Sequence, residues 1–559
     1  MARFNFFNLI FGHGNTHGTE DKDIIVGSFG ADDINAKGGD DLVFGLSGDD
    51  KISGGEGDDQ LFGGFGDDVV IGNRGSDAMF GGQGDDRLVW NNGDGSDLMD
   101  GGEGHDVQQV NFDTDLVNDD LQNDDVAEFT VTDAGLQFAR IEVNGQSEQG
   151  LFQLDIRNTE VQETNFGGGD DTAIINSGVL DAIRLDLDGG DGIDTLDFSQ
   201  LDTNVSVNLA TGQIVDNVFF AASLPEEFEI GASLAAAPVV ETSQAIDFEN
   251  VIGTEFSDAL TGNAWDNVIS GGGGNDRIAG GAGNDTLIGN KGSDTVDGGS
   301  GDDKIVWNNG DGSDLFDGGA DDDVVQVNFD TDLVNEDLQN KDVAEFSTTD
   351  AGVQFARIEV NDQTENGLFQ LDIRNTETLE TNFGGGADTA VITGDVLGEI
   401  MLDLDGGDGV DTLDLSQASG PVGVNLETGA IEVDHGAGQA ATAINFENVT
   451  GTDSNDVIVG NALDNVIRGG LGDDTMSGGA GADTFVFFEA DIGVDVILDF
   501  EIGIDQLAFF TNDPEVTQDS LLSNLDQVGD DVELSLNNKV ITFEDTQVAD
   551  FSADMFMIA

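Results

Sequence analysis

The sequence predicts an all-β chain: a right-handed parallel β-roll, or β-solenoid, with two long duplicated halves. Three observations carry that expectation. The first is a nine-residue period. From Gly18 to Val89 the chain divides without remainder into GTEDKDIIV, GSFGADDIN, AKGGDDLVF, GLSGDDKIS, GGEGDDQLF, GGFGDDVVI, GNRGSDAMF and GGQGDDRLV, and the phase returns at 253–306 and 451–486. The second is an apolar residue in eighth place throughout the opening units. A short period held in phase is the mark of a stacked repeat architecture. The third is a long duplication. Asp85–Ile175 recurs as Asp302–Ile392, an offset of 217, while IDFENVIGT at 246 recurs as INFENVTGT at 444, an offset of 198. The first copy therefore carries 19 extra residues, assigned to the Ala-rich stretch near 217–240.

These boundaries predict an N-terminal segment at 1–17 and a first repeat block at 18–106. A β-rich spacer follows at 107–252, then a second block at 253–323 and a duplicate spacer at 324–450. A third block spans 451–487, and a C-terminal cap fills 488–559. The spacers contain alternating runs, LQFARIEV (136–143) and GLFQLDIRN (150–158), which read as strands. Gly-Asp turns at 167–171, 189–194, 384–388 and 406–411 suggest that the roll continues through the spacers with longer turns. Helical periodicity is scarce outside Pro514–Leu525.

Within a block, QLF and VVI of 54–71 make two short strands, and their GGxGxD halves make turns at opposite edges. One coil then takes 18 residues, with strands about 4.8 Å apart. Val43, Ile52, Leu61, Val70, Met79 and Leu88 point inward. The same stacking puts Asp41 beside Asp59, Asp59 beside Asp77, Asp50 beside Asp68 and Asp68 beside Asp86. Two bare carboxylates about 5 Å apart repel by about 3 kcal/mol at an effective dielectric near 20. A hard divalent cation reverses that sign. Calcium takes about 6–8 oxygens in loose geometry, backbone carbonyls included, whereas magnesium demands a tighter shell. Zinc would need His or Cys; there are no cysteines, and the four histidines do not cluster.

The candidate metal ligands are therefore the sixth-place carboxylates Asp32, Asp41, Asp50, Asp59, Asp68, Asp77, Asp86, Asp258, Asp276, Asp285, Asp294, Asp303, Asp456, Asp474 and Asp483. The backbone carbonyls of Gly54, Gly57, Gly63, Gly66, Gly271, Gly274, Gly280, Gly283, Gly469 and Gly472 complete the set. Asn267 and Asn465 hold sixth place in two units, where a neutral amide weakens or removes a site. The outermost units, near Asp23 and Asp483, are expected to lack one stacking neighbour. A flexible acidic low-complexity segment is the competing reading, but disorder would not require the apolar eighth place.

GGEGDDQLFGGFGDD (54–68), GGGGNDRIAGGAGNDTLIG (271–289) and GGLGDDTMSGGAGADTFVF (469–487) resemble the RTX, or haemolysin-type calcium-binding, repeat family. The resemblance implies a parallel β-roll with multiple Ca2+ ions in its turns. It also implies export by type I secretion machinery, with the chain unfolded in low cytosolic calcium and folding outside the cell. The segment 478–510 and the tail ADMFMIA are similar to the C-terminal region of serralysin-type exported proteins, which makes 488–559 a candidate secretion-signal region. The protease motif H-E-x-x-H of serralysins is missing, so protease activity does not carry over.

Composition agrees with a cation partner. Lys+Arg is 17 against 114 Asp+Glu, a formal charge of −97. Such a chain will not bind nucleic acid or an anionic membrane through charge. There is no apolar stretch long enough for a membrane span. The apolar patch in MARFNFFNLIFGHG, roughly eight residues, is too short for a Sec-type leader core. With no cysteine there are no disulfides.

No nucleophile elbow or phosphate-binding loop is present, and composition excludes a cysteine nucleophile; a glycosidase-like carboxylate pair stays open, but acids are too abundant for any one pair to stand out. His13, His17, His105 and His435 read as solvated or turn residues. The expectation is a secreted, extracellular or surface-associated structural or adhesive protein rather than an enzyme. The alternative is an extracellular enzyme or lectin acting on cell-surface or matrix polysaccharide through the spacers. Trp90 and Trp307, in the recurring VWNNGDGSD, could stack on a sugar, though an aromatic plug is the favoured reading. Arg140, Arg157, Arg357 and Arg374 are read as neutralising local acids.

Overall fold

The computed structural model describes residues 8–91, 93–112, 124–132, 135–142, 152–216, 242–329, 342–349, 352–360, 369–433, 441–536 and 539–559. The chain forms two compact units, Met1–Asp285 and Thr286–Ala559.

In the first unit the nine-residue period becomes two parallel sheets built alternately. Leu42–Ser47 pairs with Gln60–Phe65, which pairs with Ala78–Gln83, in the register Val43↔Leu61↔Met79. On the other sheet Asp33–Gly38, Lys51–Glu56 and Val69–Arg74 pair as Ile34↔Ile52↔Val70. Consecutive units thus alternate between sheets. Because strand side chains alternate in direction, the eighth-place residues Ile34, Val43, Ile52, Leu61, Val70, Met79 and Leu88 all face inward at 0% exposure. This is the expected parallel β-roll.

The spacer continues it. Arg87–Asn91 pairs in parallel with Val107–Asn111, then Val161–Asn165, then Arg184–Asp188. On the facing sheet Asp125–Thr132, Thr172–Ile175, Thr195–Asp197 and Asn250–Ile252 follow one another. Among the described residues of this unit, two departures from a purely parallel roll appear. Asp125–Thr132, Gly135–Glu142 and Phe152–Arg157 form an antiparallel meander, and so do Val205–Asn208, Gln213–Asp216 and Ser243–Ile246. Each lets the chain leave and re-enter the roll without breaking the parallel neighbours. The extra segment proposed near 217–240 lies outside the described residues.

The second unit repeats this plan, with parallel Val324–Asn328, Thr378–Asn382 and Met401–Asp405, an antiparallel return of Asp342–Thr349, Gly352–Val360 and Phe369–Arg374, and another of Val422–Asn425, Ala430–Val433 and Ala441–Ile444. Its C-terminal region keeps the parallel pairing Thr484–Phe488, Gln506–Phe510 and Phe556–Ile558. A short helix, Gln518–Ser523, lies inside the segment expected to be helical, with Thr517 and Ser520 forming a capping box.

The spacer coils explain part of the phenylalanine bias. Trp90, Phe112, Phe166 and Phe248 form a buried column with ring centroids 6.1, 5.2 and 6.0 Å apart. Trp307, Phe329, Phe383 and Phe446 repeat it at 6.2, 5.1 and 6.1 Å. Coils stacked at strand spacing bring rings at one register into contact, and such pairs are favourable beyond their buried area.

Candidate metal-binding turns

Each sixth-place aspartate sits at the start of a strand, where the parallel ladder fixes its backbone and the turn folds over its side chain. Asp41, Asp50, Asp59, Asp68, Asp77 and Asp86 are all nearly inaccessible, at 1–3% exposure. The carboxylates stack as expected, and a backbone bond links each step. The N–H of Asp41 donates to Asp59 Oδ1 at 2.7 Å, and that of Asp59 to Asp77 Oδ1 at 2.8 Å. On the opposite edge Asp32 donates to Asp50 at 2.7 Å, Asp50 to Asp68 and Asp68 to Asp86, both at 2.8 Å. Only Oδ1 is used. The Oδ2 atoms of Asp41, Asp50, Asp59, Asp68, Asp77 and Asp86 are buried and make no hydrogen bond. An unpaired buried carboxylate oxygen is costly.

The surroundings of Oδ2 are oxygen-rich. A Cβ placed on Gly54 would meet both Asp59 Oδ2 and the Gly72 carbonyl within 2.7 Å, and one on Gly63 would meet Asp68 Oδ2 and the Gly81 carbonyl. First-place glycine thus leaves a hollow flanked by a carboxylate oxygen and the carbonyl of the next coil. Of the carbonyls named from sequence, Gly63 faces Asp50, Gly271 faces Asp258, Gly280 faces Asn267 and Gly469 faces Asp456 in this manner. The fourth-place carbonyls of Gly57, Gly66 and Gly472 instead press against Gly75, Gly84 and Gly493, where no Cβ would fit.

Burial first, and then the neighbouring acids, push the carboxyls of Asp59, Asp68, Asp77 and Asp86 up to about 7. Asp41 and Asp50 are pushed to about 6 for the same leading reason. Among the described residues no three His, Cys, Asp or Glu side chains gather into an all-side-chain metal site. A cation held here must draw on backbone oxygens, a donor set that suits calcium and not zinc. The residues fit such an ion: a divalent cation would supply the positive charge that Oδ2 and the facing carbonyl lack.

The family model for the RTX calcium-binding nonapeptide repeat matches residues 17–52, 53–88, 93–108, 252–287, 270–305 and 450–485. The chain carries RTX calcium-binding repeats. RTX repeats imply calcium binding, and the buried carboxylate ladders are consistent with it. No curated protein matches the chain. Among solved structures, the extracellular lipase LipA from Serratia marcescens aligns at 16% identity and a TM-score of 0.17, over 54% of this chain and 40% of the lipase.

The carboxylate ladders extend beyond the residues named from sequence. Asp77 and Asp86 donate to Asp97 and Asp106, and Asp106 to Glu160 Oε2 at 2.7 Å. Further on, Asp125 donates to Asp171, Asp171 to Asp194 and Asp194 to Glu249. The second unit shows Asp342 to Asp388, Asp388 to Asp411 and Asp411 to Glu447. The Oδ2 atoms of Asp97, Asp106, Asp171, Asp194 and Asp411 are also buried without a hydrogen bond. The Gly-Asp turns of the spacers were the signal for Asp171, Asp194, Asp388 and Asp411; the glutamates closing each run had none.

Not every RTX turn is alike. Asp258 accepts from the N–H and hydroxyl of Thr254, and Asp456 from those of Thr452. Burial pushes Asp32 upward, but bonds from the Ser28 N–H and hydroxyl and the Gly14 N–H outweigh it, and the carboxyl falls below its ordinary value. Asp483 does have a further neighbour, contrary to expectation: its N–H donates to Asp505 Oδ1 at 3.0 Å, because the C-terminal region adds another coil. Asp276, Asp285, Asp294 and Asp303 are buried at 1–2% exposure.

The remaining candidates resolve simply. Trp90 and Trp307 are 0% and 1% exposed, and their indole N–H groups donate to the Gly95 and Gly312 carbonyls. They are plugs rather than sugar platforms. Arg157 pairs with Asp155 of its own strand at 2.5 Å. The side chains of Arg140 and Arg357, and His435, lie outside the described residues. Among the described residues no helix is long and apolar enough to cross a membrane.

Proposed function

We propose that this chain is a secreted calcium-binding protein that folds outside the cell and serves a structural or adhesive role at a surface or in a matrix. The observation that carries the reading is the run of buried Oδ2 atoms without a donor, those of Asp50, Asp59, Asp68 and Asp86 each beside a backbone carbonyl of the next coil. A fold that buries so many uncompensated oxygens calls for a cation in its working state. RTX-repeat proteins are characteristically secreted, and calcium is scarce in the cytosol and abundant outside. Type I machinery, which passes unfolded chains, suits a polypeptide whose folding waits for calcium. The ligands proposed are the sixth-place aspartates whose Oδ2 lacks a donor, with the first-place carbonyls of the next coil.

Localisation tests this reading. Antibody detection on fractionated producing cells should find the protein in the medium or on the outer surface, and deleting residues 488–559 should retain it inside. Protein confined to the cytosol and folded there would contradict the proposal. The polysaccharide-acting alternative loses its main support with the burial of both tryptophans.

A further inference from the structure

The calcium reading above is the base of this inference, which concerns where in each block the ions begin. The second-place residue of a turn adopts one of two conformations. In most turns it has positive φ: Gly55 at 120°, Gly64 at 122°, Gly82 at 126°, and even Lys37 at 80°, Leu46 at 83° and Asn73 at 66°. In those turns the N–H makes no hydrogen bond to the aspartate four residues later, and Oδ2 of Asp41, Asp50, Asp59, Asp68, Asp77 and Asp86 has no donor. Six turns differ. Thr19, Ser28, Thr254, Asn263, Thr452 and Asn461 do not have positive φ. Their N–H groups donate to the sixth-place side chain of the same turn, at 2.6 Å to Asp23, 2.5 Å to Asp32, 2.6 Å to Asp258, 2.8 Å to Asn267, 2.6 Å to Asp456 and 2.8 Å to Asn465.

These six are the first two turns of each of the three blocks, one on either edge, so together they make the whole first coil. Two of them go further. The Asn267 Nδ2 donates to the Glu249 carbonyl at 2.7 Å, and Asn465 Nδ2 to the Glu447 carbonyl at 2.8 Å. A neutral N–H donor thus stands against a backbone carbonyl of the preceding coil. The far end of the third block closes in kind: the Glu501 N–H donates to Asp505 Oδ2 at 2.7 Å, and on the other edge the buried ammonium of Lys539 stands 3.9 Å from Asp495.

We propose that every block opens on a coil closed by the chain's own hydrogen bonds, which takes no calcium, and that the ions occupy only the turns with a positive-φ second residue. The first coil then sets register without waiting for an ion, and each later coil is laid on it and locked by calcium. Asp32, Asp258 and Asp456 accordingly stand outside the ion-holding set, while Asp276, Asp285, Asp294 and Asp303, whose second-place residues Gly272, Gly281, Asn290 and Gly299 all have positive φ, stand inside it.

A crystal structure of the calcium-loaded full chain decides this. Ions at the Asp41, Asp59 and Asp77 turns with none at the Asp23, Asp32, Asp258, Asn267, Asp456 and Asn465 turns are the expected result. Ions at both groups would overturn the inference and leave the calcium reading intact; no ion at any turn would overturn both. As a second measurement, the folded variant N263G/N267D/N461G/N465D should gain two calcium ions over the wild type in native mass spectra. An unchanged count would overturn the inference.

Discussion

Asp59 is 1% exposed, and burial followed by its acidic neighbours pushes its carboxyl up to about 7. In the unfolded chain it titrates near 3.9. The folded, ion-free chain therefore holds protons that the unfolded chain releases, and this group's stabilising contribution is full below about pH 4 and lost as pH rises through about 7. Asp68, Asp77 and Asp86 add in the same direction. In chelator, the far-ultraviolet β signal should be stronger at pH 5 than at pH 8; the reverse order would contradict the assignment. Protons compete with calcium for the same oxygens, so the folded turns should bind calcium more weakly at pH 5 than at pH 8. A second prediction concerns Gly54, whose φ is ordinary but whose Cβ position lies against Asp59 Oδ2 and the Gly72 carbonyl. Gly54→Ala should cost one bound ion, read by native mass spectrometry, and move the folding midpoint to higher calcium. An unchanged ion count would place the ion elsewhere.

At the scale of strands and turns, the blocks were legible because one period sets both the inward residue and the buried aspartate. Leu61 and Asp59 are fixed by the same nine-residue phase. The spacer ladders were half legible. Asp171, Asp194, Asp388 and Asp411 stood in visible Gly-Asp turns, but Glu160 and Glu249 close their runs from 54 and 55 residues away, a spacing set by the antiparallel meanders and by no period. The meanders escaped notice because alternation marks a strand without saying which way it runs. The closed first coils had a sequence mark, Thr, Ser or Asn in second place, yet Asn73 and Asn290 share that type and keep positive φ. Residue type alone does not settle the turn. Trp90 fills the coil that joins block to spacer. Trp90→Ala should cost about 3–5 kcal/mol in the calcium-loaded state, measured by denaturant unfolding, because it empties a fully buried ring site. A loss well under 1 kcal/mol would mean that the column carries no packing role.

Across the whole chain a formal charge of −97 must be held in a folded state. The core supplies the apolar drive: eighth-place residues in the blocks and aromatic columns in the spacers. Against it stands a row of carboxylates forced into register by the same strands. Strand pairing and carboxylate crowding cannot be separated, since one backbone ladder imposes both. On the proposed reading this balance makes calcium a condition of folding rather than an ornament of the finished fold, and binding linkage would then tie stability to free calcium. The most direct measurement is circular dichroism of the purified chain at pH 7.5, first in excess EGTA and then through a calcium titration. A coil-like spectrum that converts cooperatively to β signal as calcium rises is the predicted result. A full β spectrum in EGTA, unchanged by added calcium, would contradict it.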